Sequence, residues 1–156
     1  MVKVEIIFLV DKPIEHVFEL ISDISGYRRW APDKSKFFIR NKITSEGPIG
    51  LGTTYIDQLR WWGKSIGKIV EYRPPSEITF EQKTQFGLPV FQAVFKYTLK
   101  ALQNSTEVIH SAEAVPYGFF KLFEPILLRI VRTERERTCR AVVEFFEQSE
   151  NAAGPQ

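Results

Sequence analysis

Apolar residues alternate with other partners at Val4, Ile6, Phe8 and Val10, the period of a half-buried strand. Asp11-Lys12-Pro13 ends that run, and Pro13 suits the first turn of a helix. From Ile14 onward the apolar positions Val17, Phe18, Leu20 and Ile21 fall at helical spacing. Residues 23–30 predict a second short helix, closed by Ala31-Pro32 because the residue before a proline disfavours helical geometry. Six strands are predicted next, over residues 37–44, 53–62, 64–72, 77–84, 90–102 and 106–115. Between them lie Gly47-Pro48-Ile49-Gly50-Leu51-Gly52, the turn residue Gly63, Pro74-Pro75, Gly87-Leu88-Pro89 and Gln103-Asn104-Ser105. Connections this short favour an antiparallel meander. From Phe119 the period lengthens to three- and four-residue steps through Phe123, Ile126, Leu127, Ile130, Val131, Glu134, Thr138, Ala141, Val142, Phe145 and Phe146. That spacing predicts one amphipathic helix of about 29 residues, roughly 43 Å long, with Pro125 kinking its first part.

The resulting order, β-α-α-β6-α, is an α+β arrangement of a seven-stranded curved antiparallel sheet, two short helices and one long C-terminal helix. A single helix can cover such a sheet only if the sheet curls around it, which is a helix-grip. Residues 1–147 are expected to form one helix-grip domain, and the small polar residues 148–156 a flexible C-terminal tail. A curled sheet leaves space wherever its inner side chains do not meet the helix.

Four segments sharpen this reading. Lys12-Pro13-Ile14-Glu15-His16-Val17-Phe18 supplies a proline followed by a Val-aromatic pair, and Asp23 is followed by Trp30-Ala31-Pro32. Gly50-Leu51-Gly52-Thr53-Thr54-Tyr55 is a glycine-rich loop entering a strand, and Val70-Glu71-Tyr72-Arg73-Pro74-Pro75 precedes Ile78-Thr79-Phe80. In this order and spacing the chain, over about residues 2 to 147, resembles the START/birch-allergen-like (SRPBCC) superfamily, and within it the polyketide cyclase/dehydrase-like branch. The resemblance implies the helix-grip fold. It does not single out a function, because that superfamily includes lipid carriers, hormone receptors, aromatase/cyclases and ring-hydroxylase subunits.

Composition narrows the choices. With 156 residues and 44% hydrophobic content the chain can build one substantial core. Thirteen Phe, five Tyr and three Trp would either fill that core or wall a cavity in it. A formal charge of +2, with basic and acidic residues interspersed, gives no nucleic-acid footprint. Cys139 is the one cysteine and has no disulfide partner in the chain. The N-terminal residues lack the apolar run of a signal peptide, and residues 119–131 are charged and shorter than the roughly 20 needed to span a bilayer. A cytoplasmic location without a transmembrane segment is expected.

Candidate chemistry is sparse. His16 and His110 carry no metal-ligand spacing around them, so neither a metal nor any other cofactor is expected. The glycines of residues 47–52 lack a Gly-Lys-Ser/Thr ending, which leaves a tight connection ahead of a phosphate loop. His110 shares a strand face with Val108, Ala112 and Ala114. It is either a hydrogen-bonded core residue or an imidazole turned to the cavity. Glu134 and Thr138 interrupt the apolar stripe of the long helix: either they face a polar patch of the cavity, or the helix rotates slightly and they reach solvent, where Arg129, Arg132, Arg135 and Arg137 can pair with Glu134 and Glu136 along the outer face. Alternation puts Tyr55, Asp57, Leu59 and Trp61 on one face, taken as inward. It likewise groups Phe91, Ala93, Phe95, Tyr97 and Leu99, joined by Ile78, Phe80 and Gln82.

The expected ligand-binding set is therefore Tyr55, Trp61, Phe80, Phe91, Phe95, Tyr97, His110, Ile130 and Glu134. Trp62, Phe86, Tyr117 and Phe119 fall in three turns that the resembled fold gathers at the mouth, and are expected to form a portal. The preferred function is binding or transport of a hydrophobic small molecule (lipid-like, polyketide-like or aromatic), through apolar burial. A cyclase or dehydratase acting on a polyketide-like substrate is the enzyme alternative, with His110, Asp57 and Glu134 as its candidate catalytic groups. A protein-interaction module of the quinone-chaperone or ribosome-associated type is the third. Transient contact of the portal with a membrane surface fits the first reading; nucleic acid fits none, and the oligomeric state is open.

Overall fold

The computed structural model describes residues 1–30 and 37–152. Its elements run β1 (Val2–Val10), α1 (Ile14–Ser22), a 3-10 turn (Ile24–Gly26), α2 (Tyr27–Trp30), β2 (Phe38–Ile43), β3 (Thr54–Leu59), β4 (Lys64–Arg73), β5 (Glu77–Phe86), β6 (Leu88–Ala101), β7 (Thr106–Pro116), a second 3-10 turn (Gly118–Phe123) and α3 (Glu124–Ala152). The seven strands form one antiparallel sheet in the order β1-β7-β6-β5-β4-β3-β2. This is the expected helix-grip. Consecutive strands from β2 to β7 are neighbours, and β1 closes the series beside β7.

Local chemistry accounts for the boundaries. The Asp23 carboxylate accepts the Gly26 N–H at 3.1 Å and so caps the turn that leads into α2. The prolyl stop expected at Ala31-Pro32 lies outside the described residues. Alternation along β7 buries Thr106, Val108, His110, Ala112 and Ala114 on the concave face. On β4 the same period turns Ser65, Gly67 and Ile69 inward. The opposite, convex face carries a charged network in which Lys96 meets both Glu71 and Glu77.

Three expectations change. The strand predicted to reach residue 62 ends at Leu59, and the chain reverses over Arg60-Trp61-Trp62-Gly63, with the Gly63 N–H donating to the Arg60 carbonyl. Trp61 and Trp62 hold φ of 56° and 61°, the positive values that a type I′ hairpin turn requires at both central positions. Gly63 is needed for a different reason: the Phe86 ring lies over it, and a β-carbon there would sit 2.2 Å from that ring. Secondly, residues 118–123 form a 3-10 turn, so α3 begins at Glu124 and Pro125 occupies its first turn, where the absent N–H is not missed and no kink results. Thirdly, residues 148–152, read as part of the tail, continue α3. Ser149 donates to the Phe145 carbonyl at 2.9 Å, and Glu150 pairs with Lys12 at 3.0 Å, fastening this last turn to the start of α1.

Two packed groups hold α3 on the sheet. The larger joins Ala141 and Val142 to α1, Ile69, Ile78, Phe80, Tyr97 and Val108. The smaller sets Val131 on Val2, Val4, Ala93, Ala112 and Ala114. Those three alanines are what let the first half of α3 approach β6 and β7. Towards β3 and β4 no third group of this kind joins the helix to the sheet among the described residues, and the interior there stays open. Among the described residues no helix is long and apolar enough to cross a membrane.

Candidate functional site

The open region is a cavity of about 320 Å³ between the concave face of β3–β6, the segment from α1 to α2, and the first half of α3. Ile21, Ile24, Leu59, Phe80, Phe91, Phe95, Leu127, Ile130 and Val131 make its wall mostly apolar. Its size falls at the lower end of small-molecule pockets, which run from about 300 to 1,000 Å³. Tyr55 lines it because Gly67, directly opposite on β4, leaves room for the phenol ring; a β-carbon at Gly67 would meet that ring at 2.2 Å.

One polar network belongs to the sheet wall. Gln82 donates from Nε2 to the Tyr55 hydroxyl at 2.9 Å and to Asp57 Oδ2 at 3.1 Å. The Ser65 and Thr84 hydroxyls share a 2.6 Å hydrogen bond on the neighbouring strands, and both residues face the cavity. Burial pushes the Asp57 carboxyl up to about 7, against the opposing pull of the Gln82 hydrogen bond and the Arg135 charge. Burial, with the Asp57 charge behind it, likewise raises the Tyr55 phenol. Asp57 is thus a carboxyl that exchanges its proton near neutrality inside an apolar enclosure.

Arg135 comes into the same space from α3. Its guanidinium carbon stands 4.5 Å from the centre of the Phe95 ring, a cation–π contact. It also interacts with the hydroxyls of Tyr27 and Tyr97. Neighbouring Glu134 lines the cavity too, and its Oε1 accepts from Arg137 at 3.2 Å.

A model of the family described as polyketide cyclase/dehydrase and lipid transport matches residues 1–147. The chain belongs to that family. Its fold is shared with the Zhui aromatase/cyclase of a Streptomyces species, at a TM-score of 0.79 and 16% identity over 98% of each chain. A START superfamily protein from Mycobacterium smegmatis aligns at a TM-score of 0.76 and 13% identity, over 95% of this chain and 99% of that one. A protein from Nitrosospira multiformis aligns at 0.70 and 16% identity, over 95% and 99%. At such identities the likeness shows the helix-grip fold and no particular chemistry. No curated protein matches in sequence.

Within this family member, the residues expected to meet a ligand separate into two groups. Tyr55, Phe80, Phe91, Phe95, Tyr97, Ile130 and Glu134 line the cavity, as does Asp57 from the catalytic candidates. Trp61 and His110 do not. Trp61 leaves the inward face because β3 has already ended, and its ring instead rests against Phe37, which lines the cavity, at 5.8 Å. His110 is wholly buried beneath the lining: its ring stacks on Tyr97 at 4.1 Å, and Nδ1 lies 3.1 Å from the Lys96 carbonyl. A carbonyl can only accept, so Nδ1 carries the proton and Nε2 is left a buried acceptor without a partner. Burial, then the Arg135 charge, drive its pKa down to about 3. It is the hydrogen-bonded core histidine of the two readings and lies outside the cavity.

The turn residues also divide. Phe86 lines the cavity, Trp62 is 92% exposed, and Phe119 is exposed with its ring on Phe120 and Phe123. Tyr117 is half-buried and donates to Gln92 at 3.0 Å on the convex side. Strand pairing puts the turns after β3, β5 and β7 at one end of the sheet, since Lys64 pairs with Gln85 and Phe91 with Pro116.

Sequence reasoning missed Arg135, Tyr27 and Trp30. Arg135 had been set on the outer face, yet it falls four residues after Val131 and three before Thr138, on the buried stripe itself. Carrying the stripe through consistently would have placed an arginine inside.

Proposed function

We propose that this chain binds a hydrophobic small molecule in the cavity between the sheet and α3, and that the aromatic turns Trp61-Trp62, Phe86-Gly87-Leu88 and Phe119–Phe123 surround its mouth. The observation that carries this reading is a mostly apolar enclosure of about 320 Å³ into which a few polar groups converge from the sheet and from α3, the design of a site that buries an apolar body and orients a polar end. The family description, which names both cyclase/dehydrase activity and lipid transport, supports the same class. A cytoplasmic protein loading from other molecules or a membrane surface is the setting we propose for it.

The test is native mass spectrometry of the purified protein, with organic extraction of whatever stays bound. An adduct of a hydrophobic compound, lost in a Val131→Phe variant that fills the cavity, is the expected result. An unliganded mass throughout, with no uptake of any apolar probe, would rule the reading out.

Asp57 favours a second reading, a cyclase or dehydratase. Proton transfer at neutral pH needs a group whose pKa lies near 7 and which touches the substrate, and Asp57 is placed for both. Asp57→Asn separates the two readings: turnover of the extracted compound would stop while its binding persists.

A further inference from the structure

Burying a charge costs several kcal/mol unless something compensates it, and most buried arginines meet a carboxylate. Arg135 has no carboxylate within salt-bridge distance among the described residues: Glu134, engaged by Arg137, and Asp57 act on it through charge alone, and its direct contacts are an aromatic face and phenol hydroxyls. It remains charged at any working pH. A second donor in the same wall is also unsatisfied. Trp30 lines the cavity, is 8% exposed, and its indole N–H is buried without an acceptor. A cation that no carboxylate touches and an orphan N–H facing one cavity describe the complement of an anionic acceptor.

We infer that the cavity is built for an apolar molecule ending in a carboxylate, whose oxygens take the Arg135 guanidinium with the Trp30 N–H and the Tyr27 and Tyr97 hydroxyls as neighbours. The planar fork of a guanidinium matches the two oxygens of a carboxylate. A single guanidinium balances one negative charge, which favours a carboxylate over a phosphate. The apolar remainder of the ligand lies against Phe80, Phe91, Leu127 and Val131. This assignment rests on the binding reading given above and narrows its ligand class.

Isothermal titration with matched pairs tests it: decanoic acid against 1-decanol, and 2-naphthoic acid against 2-naphthalenemethanol, at a pH of about 7.5. At least one acid should bind at least tenfold more tightly than its alcohol. Arg135→Met should bring that pair to parity by weakening the acid alone, Arg135→Lys should keep part of the preference, and Trp30→Phe should weaken the acid a few-fold. Alcohols that bind as well as their acids would overturn the carboxylate inference and leave the hydrophobic-binding reading standing, as would an acid preference that survives in full in Arg135→Met. Failure of all four probes to bind would overturn both. The wild-type comparison decides the matter even if a variant fails to fold.

Discussion

Asp57 makes a stability measurement informative about the cavity. In the fold its carboxyl keeps its proton up to about 7, whereas an unfolded chain releases it near 3.8. Between those values the folded state binds more protons than the unfolded one, so the Asp57 contribution falls as pH rises, from about 3.8 until the folded group has ionised. At 1.36 kcal/mol per pH unit, the loss between about pH 5 and about pH 8 is roughly 2.5 kcal/mol, or roughly 5–10 °C in Tm for a chain this long. His110 works the other way. Its folded pKa is lowered from 6.5 to about 3, so its contribution is present above 6.5 and is lost as pH falls towards 3. The wild-type profile alone therefore mixes two opposing slopes. The difference between wild type and Asp57→Asn isolates one of them, because asparagine cannot ionise but can still accept the Gln82 hydrogen bond. Urea unfolding of both proteins in steps of pH should show the variant gaining on wild type as pH rises. Parallel curves, with a difference constant within about 0.5 kcal/mol, would refute a neutral buried carboxyl and with it the acid/base role offered to this group.

Other consequences can be checked separately. Gly67→Ala should force the Tyr55 ring into the cavity, costing about 1–3 kcal/mol in urea unfolding and reducing probe uptake. His110→Phe should gain on wild type by roughly 2 kcal/mol as pH falls from neutrality to about pH 5, the contribution that the buried neutral imidazole loses there, while leaving ligand affinity unchanged because the ring lies outside the cavity. Cys139 is buried with its thiol pushed up to about 12 by burial, so it should react with a disulfide reagent only when the protein unfolds. Trp61→Asn with Trp62→Gly replaces two bulky residues in left-handed backbone by the pair such turns prefer; it should stabilise the chain by about 1 kcal/mol or more and slow ligand exchange. Unaltered exchange kinetics would remove the tryptophans from the mouth.

The architecture was legible because its signals are periodic. Alternation on β6 and β7 and the three- and four-residue steps of α3 each repeat often enough to outweigh any single exception. Boundaries failed where one residue decided the geometry. Gly63 read as the turn residue because glycine tolerates positive φ, yet the structure uses it for the Phe86 ring and gives the positive φ to two tryptophans. Of the cavity, the strand residues could be found by parity alone, and Tyr55, Phe80, Phe95 and Tyr97 were. Parity says nothing of depth, so His110 was assigned the right face but not its place under Tyr97. Arg135 was missed for a chemical reason: a charge is assumed to face water unless a partner is visible, and the structure supplies an aromatic ring and hydroxyls in place of a carboxylate.

The unequal seating of α3 has a bearing on how anything gets in or out. Its second half is bound into the larger packed group and tied at its end by the Lys12–Glu150 pair, while its first half rests through Val131, Leu127 and Leu128 on the smaller group and meets the N-terminal amine at Glu124 on the surface. Lifting the first half sacrifices far less buried apolar surface than lifting the second, so local opening is cheapest beside the aromatic turns. The helix behaves as a lever clamped more firmly at one end, and the more lightly held end lies over the cavity. Amide exchange should be fastest in residues 124–131 and slowest around Val142, so that the molecule exchanges its contents by a motion its fold already allows.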